Sequence, residues 1–208
     1  MAVITRLELQ RRRRDRVSVF LDGDYAFSLA LDLAAALHQG QALDEAEVRA
    51  LRHEDATHLA LGQALGFLGY RPRSRAEVAR YLASKDTPPE VVERVLGRLA
   101  ALELLDDAAF AAWWVENRSQ HRPRGRHALM QELSERGIAR EVITAALAGL
   151  DEAVLALRVA RRLAPRYSHL ERPVFRRRLG ALLQRRGFGQ EAVYRAVEAA
   201  WQGREAPE

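Results

Sequence analysis

The chain of 208 residues contains six histidines and no cysteine, and that limits the chemistry it can carry. Without cysteine there is no thiolate nucleophile, no disulfide framework and no thiolate zinc site. His53-Glu54-Asp55-Ala56-Thr57-His58 superficially resembles a zinc-protease helix. Its histidines are five apart rather than four, which on a helix turns them about 140° away from one another. His121 and His127 have no carboxylate at ligand spacing and read as solvated or capping residues. Asp106-Asp107 falls at a helix start, where acids cap the free N–H groups and complement the dipole. No G-x-x-x-x-G-K-[ST] phosphate loop is present, so any nucleotide dependence belongs to a partner. An enzyme acting on DNA, such as a helical-repeat glycosylase, would need an acid poised in a base pocket, and no residue stands out for that role. The expectation is a non-enzymatic chain with no cofactor, no metal and no small-molecule substrate.

The remaining chemistry is cationic. Lysine and arginine number 33 against 28 acids, a net charge of +5, and Lys85 is the only lysine. From Arg158 to Arg186 there are ten arginines and one acid, Glu171. A second run, Arg11-Arg12-Arg13-Arg14-Asp15-Arg16, lies near the start. Such clusters are either solvated faces or electrostatic footprints for phosphates or for an acidic protein surface. The candidate contacts are Arg11, Arg12, Arg13, Arg14, Arg118, Arg122, Arg124, Arg162, Arg166, Arg172, Arg177 and Arg185. Asp44 to Asp55, with five acids against Arg49 and Arg52, is acidic on balance. Trp113 and Trp114 point about 100° apart on a helix. One belongs in the core and the other at the core or a seam, unless an exposed ring serves as a stacking anchor beside Arg118, Arg122 and Arg124.

Two kinds of element must position these residues. Between Val3 and Leu29 the pattern is that of pleated strands near 3–10, 16–21 and 25–28, with Val17, Val19 and Leu21 alternating and Asp22-Gly23-Asp24 at a tight turn. A sheet this small must pack on something, and a short helix from Ala30 to Leu37, ended by Gly40, is the candidate. Asp44 then caps a long helix closing near Gly69.

The rest is a repeat. Arg-Pro recurs at 71, 122 and 172, intervals of 51 and 50, and windows 71–96, 122–147 and 172–197 align without a gap. Arg75, Arg126 and Arg176 coincide, as do Val78, Leu129 and Leu179, Leu82, Leu133 and Leu183, and Lys85, Arg136 and Arg186. The recurring arginines are expected to pair with Glu90, Glu141 and Glu191 or to cap carbonyls. Gly137 and Gly187 end the middle helices, whereas Asp86, before Pro88-Pro89, implies a stop of different construction. Upstream helices over 44–69, 106–119 and 151–165 complete each unit. The expected fold is mainly α, three tandem three-helix repeats forming an elongated curved array after a small N-terminal antiparallel β-meander. The parts are 1–42 (meander and short helix), 43–105, 106–150 and 151–201 (the repeats) and a frayed tail over 202–208. No apolar run approaches the roughly 20 residues of a membrane span, and a monomeric cytoplasmic protein is expected.

Phe67-Leu68-Gly69-Tyr70-Arg71-Pro72-Arg73-Ser74-Arg75-Ala76-Glu77-Val78 resembles the first repeat of the RecX regulatory proteins. Leu104-Leu105-Asp106-Asp107-Ala108-Ala109-Phe110-Ala111, then Trp114-Val115-Glu116-Asn117-Arg118 and Arg122-Pro123-Arg124-Gly125, resemble the second. Arg16-Val17-Ser18-Val19-Phe20-Leu21-Asp22-Gly23 resembles the extension of longer members. The resemblance implies a protein that lies in the groove of the RecA filament on DNA, suppresses strand exchange, ATP hydrolysis and coprotease activity, and binds single- and double-stranded DNA weakly or through RecA. The alternative is a free-standing DNA-binding protein acting through the basic third repeat. The first-repeat stop, the doubled tryptophan and the very basic third repeat depart from the family's usual pattern.

Overall fold

The protein is described by a computed structural model covering residues 1–205. It has ten α-helices and one four-stranded sheet among the described residues, and the chain divides into two compact units. The first unit comprises 1–73 and 77–105. The second comprises 74–76 and the chain from 106 onward.

In the first unit, β1 (Ala2–Leu9), β2 (Arg16–Leu21) and β3 (Asp24–Ala30) form the expected antiparallel meander. The β2–β3 turn is built on Asp22 (φ +50°) and Gly23 (φ +100°), the positive-φ pair that a tight hairpin requires. The sequence did not disclose β4 (Ala42–Leu43), which pairs with β1 and gives the order β3-β2-β1-β4. The short helix α1 is confined to Leu31–Ala34. Asp44 caps α2 (Glu45–Leu68) through a reciprocal pair: the Glu47 N–H donates to Asp44 Oδ1 and the Asp44 N–H to Glu47 Oε2, each 2.7 Å. Ile4, Val17, Val19, Phe27, Leu29 and Leu43 form the buried face of the sheet. Leu33 and Leu37 pack on it, and so do Val48 and Leu51 from the first turns of α2. Further along, Ala60 and Ala64 face a separate core made with α3 (Arg75–Ala83) and α4 (Pro89–Ala101), in which Val78, Leu82, Val95, Leu96 and Leu99 are fully buried.

The second unit holds two helix triplets: α5 (Asp107–His121), α6 (Arg126–Glu135) and α7 (Arg140–Ala146), then α8 (Glu152–Leu163), α9 (Arg172–Arg185) and α10 (Gln190–Glu205). A 3₁₀ turn, Ala164–Tyr167, follows α8. Leu129, Leu133 and Ile143 anchor the core of the first triplet, and Leu179, Leu183 and Val193 occupy the same repeat positions in the second.

Three expectations change. The repeat pattern implies units that bury their apolar faces against one another, yet each triplet closes its own core, because its three helices supply enough apolar surface between them. The first-repeat stop is not different. Asp86 adopts the same left-handed backbone (φ +57°) as Gly137 (+76°) and Gly187 (+81°), a conformation that aspartate tolerates better than most residues. In all three repeats the N–H that follows this left-handed residue donates back to a leucine carbonyl of the helix: Thr87 to Leu82, Ile138 to Leu133 and Phe188 to Leu183, at 3.2–3.3 Å. Finally, α10 continues past Trp201, where the sequence implies fraying, to Glu205. Trp201 lies edge-on to the fully buried Phe175, centroids 5.2 Å apart, which holds the last turns in place. Residues 206–208 of the expected tail lie outside the described residues.

The two triplets of the second unit meet through backbone. The Gly125 N–H donates to the Arg186 carbonyl at 2.9 Å and the His127 N–H to that of Gly187 at 3.2 Å. Glu152 accepts from the N–H groups of Arg126 (2.8 Å) and Gly189 (3.2 Å) with one oxygen, so it caps both edges of the joint. Residues 74–76, which cluster with this unit, follow the same pattern: Ser74 Oγ donates to the Arg136 carbonyl at 2.7 Å and the Arg75 N–H to Asp107 at 2.8 Å.

Candidate functional site

Arg11, Arg12, Arg13 and Arg14 are exposed on the β1–β2 turn, and Arg13 lies 3.4 Å from Asp15. Arg16, the last cation of that run, is not part of the basic tip. It is buried and makes a two-pronged contact with Asp55 of α2, 3.0 and 2.8 Å, while also donating to the Ser28 carbonyl. Asp55 in turn accepts the Ala30 N–H at 2.7 Å. Asp55 therefore does not contribute to a solvated acidic helix face, as the sequence suggests. Of the histidines on α2, His58 is exposed and faces Asp32 at 3.4 Å, and His53 is half-buried. Among the described residues no three histidines, aspartates or glutamates come together in a way that could hold a metal ion.

In the second unit the other predicted arginines sort by whether a carboxylate reaches them. Glu132 on α6 is one hub. Its Oε2 accepts from Arg118 Nε and from Trp114 Nε1, both at 2.8 Å, and its Oε1 lies 3.7 Å from Arg124 Nε. The guanidinium groups of Arg118 and Arg136 lie over the Trp114 ring, 4.5 and 3.7 Å from its centroid. Trp114 is thus a buried core residue with its N–H satisfied, and Trp113 is half-buried against the same core. Neither tryptophan is an open stacking platform. In the first unit, Phe67 and Tyr81 stand at the repeat positions of Arg118 and Glu132 and stack at 4.2 Å, so one helix contact is aromatic in one repeat and ionic in the next.

Glu198 on α10 is the second hub, holding Arg172 and Arg176 at 2.8 Å each. Arg176 therefore pairs with Glu198 and not with the expected Glu191, whose partner is Arg195, one turn away. Arg126 donates to the Leu150 carbonyl, the capping alternative. Sequence reasoning gave no sign of either hub, because the partners are 8 to 26 residues apart and belong to different helices or loops.

Arg122, Arg162, Arg166, Arg177 and Arg185 are exposed and make no ion pair among the described residues. Two of them, Arg162 and Arg166, act on Arg186 through their charge. Arg186, half-buried at the end of α9, is pushed below the ordinary arginine range first by burial and then by the charges of Arg162, Arg124 and Arg166. It remains cationic, as arginine does in proteins. The Gly125–Arg186 hydrogen bond brings the chain of Arg124 to Arg186, and Arg162 and Arg166 stand four residues apart on the segment that ends α8. Arg186 was legible only as a repeated basic position, and its use follows from the joint between triplets.

No helix of the described residues is long and apolar enough to cross a membrane. Four family models match in chain order. "Regulatory protein RecX N-terminal domain" matches residues 2–44, and the first, second and third three-helix domains of RecX match 60–99, 106–147 and 151–197. A protein of Bacillus pumilus named Regulatory protein RecX is 31% identical over 213 aligned positions, which span 99% of this chain and 80% of the relative. Its namesake in Bacillus subtilis is 30% identical, over 95% and 77%. A crystal structure of regulatory protein RecX superposes with a TM-score of 0.76 at 30% identity, covering 96% of this chain and all of that one. RecX from Lactobacillus salivarius, at 23% identity and a TM-score of 0.66 over 72% of this chain, shares the fold.

Proposed function

The chain belongs to the RecX family of regulatory proteins, and from that premise we propose that it regulates the RecA recombinase without catalysis of its own. It binds the RecA filament on DNA and restrains strand exchange, ATP hydrolysis and coprotease activity. The observation that carries this reading is the presence, in order, of all four parts of the family's architecture along nearly the whole chain.

The arginine surface fits the role. A filament assembled on DNA presents phosphates and acidic protein side chains together, and exposed guanidinium groups speed and orient encounter with such a body. Arginines held by Glu132 and Glu198 contribute shape and local order, while Arg122, Arg162, Arg166, Arg177 and Arg185 supply uncompensated charge. The helix triplets bridge neighbouring RecA protomers, and the chain works in the cytoplasm as a monomer.

Co-sedimentation with RecA assembled on single-stranded DNA tests the reading. The chain is expected to pellet with the filament at moderate salt, under conditions where DNA alone does not retain it. Retention on bare DNA equal to that on the filament would instead favour the free-standing DNA-binding protein. A steep fall with salt is the signature of that alternative, since each duplex phosphate contact contributes about −0.9 to the slope of log K against log salt.

A further inference from the structure

We propose that the outer edge of β1, at Leu7 and Leu9, takes up an extended segment of a partner protein as an added antiparallel strand. Arg6, Glu8 and the basic β1–β2 turn select the charges of that segment.

The order β3-β2-β1-β4 leaves two edges to account for. Along a strand, successive residues turn their N–H and C=O groups to opposite sides. On β3 the outward groups belong to Ala26, Ser28 and Ala30, and side chains close them. Arg52 donates to the Ala26 carbonyl at 2.9 Å, Arg16 to that of Ser28 at 3.0 Å, and the Ala30 N–H donates to Asp55 at 2.7 Å. The edge of β1 is covered over its first half alone. β4 pairs with Ala2 and Val3, and Ile4 bonds to the Gln41 carbonyl and the Gly40 N–H, both at 2.8 Å. A bulge between Ile4 and Arg6 then shifts the phase of the strand. The Gln10 N–H donates to the Arg16 carbonyl of β2, so Glu8 also faces β2, while Leu7 and Leu9 turn their backbone outward. Among the described residues nothing meets those outward N–H and C=O groups. One edge of the sheet is thus closed by side chains, and the other keeps an open slot in line with β4.

The slot has a chemistry. Leu7 and Leu9 stand opposite Val19 and Val17 on the core face of the sheet, and Leu9 is 49% exposed. Arg6 and Glu8 lie on the other face, 3.8 Å apart. An antiparallel strand sets hydrogen-bonded residues opposite Leu7 and Leu9, where apolar side chains extend the core face. Its remaining residues meet Glu8 and Arg6 in the narrow, non-hydrogen-bonded pairs, where side chains come closest. The matching segment therefore reads apolar, basic, apolar, acidic from its N-terminus. Its N-terminal end runs beside the exposed Arg11 to Arg14, so acids belong ahead of it. A second copy of this chain is a poor match. Two-fold pairing about Glu8 sets two glutamates face to face. Pairing about Leu7 calls for outward groups at Thr5, where the bulge interrupts the alternation and the hydroxyl is tied to Phe20 and Gly23.

A fluorescein-labelled peptide of the matching pattern, DDVKVET, is titrated with the full chain and followed by anisotropy. The peptide with lysine and glutamate exchanged, DDVEVKT, is expected to bind roughly fivefold more weakly, because two cross-strand pairs change from opposite to like charges. In the doubly substituted Arg6→Glu, Glu8→Arg chain this preference reverses. Leu9→Pro removes an outward N–H and spares the ladder to β2. It is expected to weaken binding about tenfold or more, whereas Leu9→Thr, which keeps the N–H, loses much less. In hydrogen exchange followed by NMR, the Leu7 and Leu9 amides are expected to exchange fast in the free chain and to be protected by the peptide. Equal binding of the two peptides, or a preference that the charge-swapped chain does not reverse, would overturn the proposal. So would equal affinities of the Leu9→Pro and Leu9→Thr chains, and the charge reversal decides the matter even if Leu9→Pro fails to fold. Protection of these amides in the free chain would overturn it as well, and a concentration-dependent dimer in sedimentation would then assign the edge to a second copy. RecA plays no part in these assays, so their outcome is independent of whether the chain restrains the recombinase.

Discussion

Replacing Asp55 by alanine lowers the unfolding free energy of the chain by about 3–5 kcal/mol, the usual cost of breaking a buried ion pair on one side. The side chains of Arg16 and Asp55 are each only 9% exposed, so neither charge has water to fall back on. Asp55 accepts three hydrogen bonds, two from Arg16 and one from the Ala30 backbone, and Arg16 also donates to the Ser28 carbonyl. Together they tie β2 and the end of β3 to the middle of α2. Alanine leaves a buried guanidinium with a single acceptor and orphans the Ala30 N–H. Urea unfolding followed by circular dichroism reads the loss as a fall in midpoint at constant slope. Arg16→Met with Asp55→Leu together should recover much of it, because an apolar pair of similar volume removes both charges. A loss below about 1 kcal/mol for Asp55→Ala would mean that the pair is solvated and does not fasten sheet to helix.

The second large effect is at Gly125. A Cβ there would lie 2.2 Å from the Gly187 carbonyl oxygen and the Phe188 nitrogen, and 2.3 Å from the Gly187 carbonyl carbon. All three are backbone atoms of the next helix triplet, so no side chain can rotate away. Gly125→Ala must separate the two triplets locally, at a cost of about 3 kcal/mol or more, the upper end for overpacking. It also breaks the hydrogen bond to the Arg186 carbonyl that brings Arg124 beside Arg186. Gly149→Ala is the control, since a Cβ there meets nothing within 4 Å, and its effect is expected within about 0.5 kcal/mol. Equal midpoints for the two variants would contradict the close backbone approach.

The repeat was legible because its physics is local. Arg-Pro at helix starts, leucines on one helix face and the left-handed stop all recur at intervals of 51 and 50. Even Asp86 obeys the rule in its backbone conformation. Arg16 was hidden by its company, a run of exposed arginines. The signal for Asp55 was present: Val48, Leu51 and Asp55 follow the i, i+3, i+7 spacing of one helix face, and a carboxylate on an apolar stripe calls for a buried cation. The hubs at Glu132 and Glu198 carried no such signal, since their geometry depends on how helices pack. The joint between the triplets carried no signal either, since nothing local to Gly125 or Gly187 shows that their backbones meet. β4 is two residues long, too short for any alternation to register.

The most direct measurement of the central claim is single-stranded-DNA-dependent ATP hydrolysis by the cognate RecA with this chain titrated in. Loss of hydrolysis at well below one chain per RecA is the predicted result, because a regulator that spans protomers acts on more of the filament than it covers. Unaltered hydrolysis up to equimolar chain, with the fold intact by circular dichroism, would contradict it.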